Sequence, residues 1–432
     1  MALRVVEEVP EVPHPTSRRL HALLDELILM TTDALGGVDD ESSEADLVDQ
    51  VAVLERLRAA VAAVQAATVV RFARARVERE LALDVHPRDV GRGIAEEVGL
   101  ACRLSPTVAA RRLSSARAWW FDLPHTYATL AAGSLSEQTA EAVVTETRHL
   151  DGPTRRAVDA RLHAADVAGK GVREAAALAR RYAYEADREA YVARGRHERK
   201  HRRVGLRPAP DTMSVLSGYL PVEQGVACLV ALRRHTDGVV AAGDERTQGQ
   251  IMADTLVERL TGQAHASDVA VEVQIVMPAD LAIDPHGSRT ATITGGGPLP
   301  GPLAHAVVDA SQGVKRWRIV HANLAGQVVG IEPRRRRFTG PLGDLIAVRD
   351  QTCREPFCGA PVRHLDHVHR YADGGETTLA NGRGLCARHN LVREQPGWAA
   401  TVIHDGLGQL PHTVRTTTPT GHTYTGRAPD PP

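Results

Sequence analysis

RDQTCREPFCGAPVRHLDHVHRYADGGETTLANGRGLCARHNLVREQPGW, residues 349–398, decides how the C-terminal part of this 432-residue chain folds. Cys353 and Cys358 face each other across a turn of four residues, and Cys386 and His389 stand at i and i+3. Thiolate and imidazole are ligands that zinc prefers, and four of them complete its tetrahedral shell. A Cys-x-x-His pair on the first turn of a helix points both ligands to one side. Large apolar groups in the stretch are few (Phe357, Tyr371 and Trp398). A module of this size commonly needs a structural metal. Zinc binding of ~10–16 kcal/mol apparent, as in small zinc-folded peptides, is ample to fix it.

Between the two ligand pairs lies Asp366-His367, at the end of an expected strand, VRHLDHV. A loop runs on to Asn381, and the helix opening LCARHNLVRE follows. Asp366 can hold a hard divalent cation through oxygen. His367, with an ordinary pKa near ~6.5, can be neutral at pH 7 and accept a proton from water. Asn390 directly follows His389, so its amide oxygen can serve the same cation. By themselves the adjacent Asp and His also suit an ordinary solvated surface.

The segment resembles the HNH endonucleases of the ββα-metal class, in the form where CR-x-P-x-C precedes LDHV, then GG-x-T-x-L-x-N, then LC-x-x-H. The resemblance implies that His367 is the general base and that Asp366 and Asn390 coordinate a catalytic magnesium or manganese ion. It implies that Asn381 holds the base-bearing loop, and that Cys353, Cys358, Cys386 and His389 bind a structural zinc. The third signature position is Asn390 instead of His, a departure that puts full activity in question. His364 and His369 flank the Asp-His pair and are not required by the motif. Upstream, RTQGQIMADTLVERLTG, GGPLPGPLAHAVV and RRRRF-x-x-PL are similar to the uncharacterised helical domain of the 13E12 repeat family, over roughly residues 20–345.

The rest of the chain frames this module. Charged residues make up 24% and apolar ones 43%, which excludes a wholly disordered chain. Its length points to two or three domains. Residues 1–15 read as disordered and 16–265 as a helical domain. Leu20, Leu23, Leu24, Leu27 and Ile28, and Val51, Leu54, Leu57, Val61 and Val64, recur at helical spacing. Ser105-Pro106, Ser136 and Asp151-Gly152-Pro153 mark helix starts. VGLRP and MSVLSGYLP form a hairpin. Residues 266–345 are a mixed β/α segment with strands VAVEVQIVMP, TATIT and RWRIVHANLAGQVVGIEP around a Gly/Pro-rich loop at 295–302. The nuclease module spans 346–400, and 401–432 are a hairpin with a flexible tail. The fold class is α+β.

Formal charge sums to −1, but Lys315 to Trp398 holds 14 basic and 8 acidic residues, +6, which leaves −7 elsewhere. Arg334, Arg335, Arg336 and Arg337, with Arg349 and Arg363, are therefore the expected contacts to a nucleic acid, double-stranded DNA in particular. Five cysteines, an odd number, argue against a secreted disulfide scaffold. The start MALRVVEEVPEVPHP has no apolar leader, and runs such as Val226 to Leu232 are too short to span a bilayer. A cytoplasmic protein without membrane contact is expected. The competing function is a zinc-stabilised DNA-binding or interaction protein whose nuclease site is inactive.

Overall fold

The computed structural model describes residues 15–36, 43–266, 275–276, 284, 286, 290–293, 297–310, 337–407 and 410–429. Residues 1–14 of the expected disordered start 1–15 lie outside them, as do RWRIVHANLAGQVVGIEP and the last residues of the tail, while Pro15 opens a helix. The chain divides into two compact units, Met1–Arg58 and Ala59–Pro432. The fold is mainly helical with small antiparallel sheets, as an α+β chain requires.

The first unit holds α1 (Pro15–Gly36) and the opening of α2 (Glu44–Ala82). Both form where the apolar period placed them. Their Leu and Val rows are nevertheless exposed, as at Leu23, Ile28, Val51 and Leu54. In the second unit Val61 and Val64 of α2 are also exposed, while Ala59, Ala63, Ala66, Val69 and Val70 are buried. The helical period was right, and in the second unit the buried stripe of α2 is the alanine one. Alanine lets neighbouring helices approach closely, so the small residues line the seam.

That seam shares one hydrophobic core with α4 (Pro106–Phe121), α5 (Pro124–Ala131), α6 (Glu137–Thr147), α7 (Gly152–Ala164) and α8 (Val172–Ala186). Trp119, Leu123, Leu130, Val143 and Leu162 fill the centre. Ser136 and Asp151 cap α6 and α7 by accepting from Thr139 N and Thr154 N. Ser105 precedes α4 without a side-chain cap, so Pro106 alone sets that start. Asp159 of α7 is fully buried and accepts from His125 N at 2.7 Å and Thr126 Oγ1 at 2.5 Å. It thereby satisfies the amides that the start of α5 leaves open.

Next come α9 (Arg188–Glu198) and the expected hairpin, β1 (Arg203–Pro208) with β2 (Ser214–Tyr219). α10 (Val222–Ala241) and α11 (Gln248–Thr261) follow, the latter opened by a Thr247/Gln250 capping box. A three-stranded sheet, order β3-β4-β5, joins Ile275–Val276, Thr290–Ile293 and Gly297–Pro300. Within the segment read as a Gly/Pro-rich loop, 295–302, residues 297–300 are strand β5 and 301–302 open a helix. Among the described residues β5 is the edge strand of this sheet, a position that tolerates Pro298. It leads directly into α12 (Gly301–Ala310).

The C-terminal module begins with α13 (Pro341–Asp350). Strands β6 (His364–His367) and β7 (Gly382–Leu385) pair antiparallel, and α14 (Ala387–Val392) follows at once. Strands β8 (Ala399–His404), β9 (Thr413–Thr417) and β10 (Thr423–Arg427) form a sheet of order β10-β9-β8. Residues 401–432 therefore supply two strands to a sheet that starts inside the expected module. The module seats on α3 (Ile94–Cys102): Arg388 of α14 pairs with the buried Glu96, and Thr420 N donates to the buried Glu97 at 3.2 Å. Among the described residues no helix is long and apolar enough to cross a membrane.

His412 joins this sheet to the module, and it is fully buried with Nε2 2.9 Å from Ala380 O. Burial, then the nearby Arg349 cation, push its pKa down from 6.5 to about 4. Between those values the unfolded chain takes up a proton that the folded chain refuses. Stability should therefore fall as pH is lowered from about 6.5 to about 4, by roughly 3 kcal/mol in all, and level off below. Urea unfolding across that range should show the slope for the native chain and lose it in His412→Gln.

Candidate metal centre and adjoining cleft

The cysteine knuckle is built by backbone. Cys353 N donates to Ala360 O at 2.8 Å; Phe357, inside the turn between the two cysteines, and Gly359, just after the second, stand at positive φ, 64° and 60°. The knuckle is tied to β7 through Arg354 N to Gly384 O at 2.9 Å. From the other side Cys386 caps α14, accepting from His389 N, and so sets both residues on the first turn.

The four expected ligands come together. Sγ of Cys353, Cys358 and Cys386 and a ring nitrogen of His389 lie within 4.8 Å of one another, and all four residues are buried. His389 Nδ1 is 3.3 Å from Cys353 Sγ and 3.5 Å from Cys386 Sγ, and the Cys358 and Cys386 sulfurs are 3.9 Å apart. Tetrahedral zinc with bonds near 2.3 Å to sulfur needs ligand separations of about 3.7 Å. The spacing thus suits an ion and is far too long for a disulfide. Hydrogen bonds from Cys353 and Cys358 hold the Cys386 thiol well below its ordinary range, and the same contacts push Cys353 up. For His389, burial opposes the charged ring, but Cys358 and Cys386 outweigh it and raise the pKa to about 10.

Around the cluster runs a buried ionic network. Asp350 accepts from Gly384 N at 2.6 Å and from Arg349 Nε at 2.7 Å. Arg383 reaches Glu355 at 2.8 Å, and Thr416 donates to the same oxygen at 3.0 Å. Charges this deep are tolerated because each has a partner.

Asp366 and His367 end β6, beside a cleft of about 560 Å³ whose lining includes Arg337, Arg363, His364 and Arg393. Asp366 is partly exposed and its Oδ2 is paired with Arg393, which also donates to the His367 carbonyl. The His367 ring is buried against Phe338, centroids 4.4 Å apart, and its Nε2 lies 2.9 Å from Thr377 Oγ1.

Asn381 staples the loop that follows. Its Oδ1 accepts from His369 N at 2.8 Å, and its Nδ2 donates to His369 O at 3.0 Å and Glu376 O at 2.7 Å. The turn closes so tightly that a Cβ on Gly375 would run into the His369 carbonyl. Gly375→Ala should therefore cost about 2–4 kcal/mol by backbone strain. Gly171→Ala, which meets no neighbour within 4 Å, should be near neutral. Thermal melts of both, with faster exchange of the His369 amide in the first, check this.

The expected nucleic-acid contacts divide. Arg337 and Arg363 are exposed at the cleft. Arg349 is not a surface residue: it is buried, and its guanidinium serves Asp350, Leu379 O and Gly382 O. One turn of α13 carries it under β7. Arg334, Arg335 and Arg336 lie outside the described residues. Asn390 sits on α14, half-buried, and is not among the residues lining the cleft. His364 lines the cleft, and neither it nor His369 joins the cysteine cluster. Thr377 and Arg393 touch His367 and Asp366, and neither was an expected site residue. Thr377 is the fixed Thr of GG-x-T-x-L-x-N, a signal that was available.

Residues 16–350 match the family model described as domain of unknown function (DUF222). The chain is 32% identical over 151 residues to the uncharacterized protein Rv3776 of Mycobacterium tuberculosis, covering 34% of this chain and 26% of that protein. It is 31% identical over 142 residues to the uncharacterized protein Rv2100 of the same organism, covering 32% and 24%. The chain spans about a quarter of the length of these curated relatives. No solved structure matches it. The family match ends before Cys353, so the cluster and most of the cleft lie beyond it.

Proposed function

The chain belongs to the family described as domain of unknown function (DUF222), and we propose that its C-terminal module is a metal-dependent HNH endonuclease hydrolysing phosphodiester bonds in double-stranded DNA. The observation that carries this reading is Asp366 and His367 side by side at one strand end, in a cleft that presents arginines. The hairpin-then-helix order of β6, β7 and α14 around a Cys3His cluster is the architecture such a site needs. Zinc there is structural, because four protein ligands leave no position for water.

In the tautomer whose Nε2–H donates to Thr377, the lone pair of His367 lies on Nδ1. That nitrogen takes a proton from water while the water oxygen attacks phosphorus and the bond to the 3′ oxygen breaks. Arg337 and Arg363 hold the phosphate without reading sequence. Asn381 fixes the loop that follows the base. Asp366 offers the oxygen that would hold a hard divalent cation at the cleft, with Asn390 of α14 the second donor the motif implies, and such an ion would supply charge stabilisation on the phosphate and the leaving oxygen.

A second reading, a zinc-stabilised DNA-binding or interaction module without cleavage, is favoured by one feature. Arg393 already neutralises Asp366, so a cation there competes with an internal ion pair. Nicking of supercoiled plasmid by the zinc-loaded full chain, with magnesium or manganese added, separates the two. Metal-dependent nicking supports the nuclease. No nicking, together with no manganese uptake beyond the zinc site by calorimetry, sinks it.

A further inference from the structure

Far along the chain from the cleft, residues 188–207 carry eight Arg and Lys against two Glu, a local +6 in a chain that sums to −1. They form α9, a 3-10 turn at Arg199–His201 and strand β1. Internal ion pairing consumes little of this charge. Glu198 is held by Arg148 at 2.8 Å and by the Tyr219 hydroxyl at 3.1 Å, and Arg199 pairs with Glu223 at 2.5 Å. The side chains of Arg196, Lys200 and Arg207 are exposed and make no hydrogen bond or ion pair with the described residues. In β1, Arg203 and Arg207 share one face. Arg203 stacks on the exposed ring of Tyr219, its register partner, at 4.5 Å. Gly205 and Ser217 lie between them, so no bulky side chain interrupts that face.

We propose that this basic ridge of α9 and β1 is a second nucleic-acid contact, which grips the phosphate backbone through Arg196, Lys200, Arg203 and Arg207 with Tyr219 as a stacking platform. Extended arginines beside an aromatic ring suit a chain of phosphates and bases. An anionic membrane fits less well. The exposed apolar side chains of β1, Val204 and Leu206, point away from Arg203 and Arg207, and a flat bilayer cannot engage both faces together. The choice of nucleic acid as the polyanion rests on the nuclease reading above, but the binding itself needs no cleavage.

The test uses the full chain carrying His367→Ala, in EDTA-free buffer with zinc retained, so that bound DNA stays intact. Fluorescence anisotropy with a 30-base-pair duplex is measured at several salt concentrations for this protein and for the same protein with Arg196→Gln, Lys200→Gln and Arg207→Gln. Loss of three phosphate contacts should flatten the slope of log K against log salt by about 3 and weaken binding on the order of 100-fold near 0.15 M salt. Equal melting temperatures exclude misfolding, and lysine in place of both arginines should restore most of the slope. Unchanged affinity and slope overturn the ridge. So does a triple variant that loses binding to phosphatidylserine vesicles while keeping the duplex. Plasmid nicking without a ridge effect leaves the nuclease reading standing alone. A salt-linked ridge effect without nicking leaves the ridge standing alone.

Discussion

Replacing His367 by alanine is expected to lower plasmid nicking by the zinc-loaded chain about 10²–10⁴-fold, the usual worth of a positioned general base. The ring packs against Phe338 with its Nε2 beside Thr377 Oγ1 at the cleft, and it does not belong to the cysteine cluster. Zinc content, measured by elemental analysis, should therefore stay at one per chain while nicking falls. His367→Ala also opens space beside Phe338, so the melting temperature must be compared. A conservative arm separates chemistry from packing. Thr377→Val keeps the loop's shape but removes the hydroxyl from Nε2, and it should shift the pH profile of nicking where a purely structural change would not. If native and His367→Ala proteins nick equally, the base has been misassigned.

What the sequence disclosed and what it hid follow from the range of the interactions. The four residues of the Cys3His cluster were legible because each pair is local: Cys353 and Cys358 span one turn, and Cys386 and His389 span one helical turn. Asn381 was legible through its motif, and its three hydrogen bonds to the His369 and Glu376 backbone give that position a physical reason. Arg349 was not legible. Its neighbours Leu379 and Gly382 are some thirty residues away, and only tertiary packing turns it inward. The outward Leu and Val rows of α1 and α2 show a similar limit. Periodicity finds a helix, but which stripe is buried depends on what approaches it, and here alanines allow the closer approach. Averaging hid the ridge: the whole-chain charge and the acidic balance outside 315–398 both conceal the +6 at residues 188–207. The β5 strand was missed because Gly and Pro were weighed as breakers although an edge position tolerates them.

Removing the zinc should have the largest structural effect of any single change. Beside the cluster, the hydrophobic groups of the module are few. Leu385 packs with Cys353, Cys358 and Cys386, while Phe338, Leu342, Ile346 and Leu379 form a separate small cluster. Neither group resembles the helical core centred on Trp119, Leu130 and Leu162. The metal would contribute ~10–16 kcal/mol apparent, more than so small a core supplies. Cys386→Ser, or a strong chelator, is therefore expected to unfold residues 351–398 while α4 to α8 stay folded. Far-ultraviolet dichroism should lose only a small part of its helical signal. Limited proteolysis should open new sites between Thr352 and Trp398. The effect should also spread along one defined route. Cys386 caps α14, and α14 carries Arg388 to the buried Glu96 of α3. Once the cap is lost, Glu96 is left with a buried charge and no partner on α14, which costs several kcal/mol unless the site rearranges. Hydrogen exchange in α3 should therefore rise on chelation while exchange in α6 and α8 does not. Unchanged protection of both the 351–398 segment and α3 after zinc is removed would show that the cluster is not what holds the module.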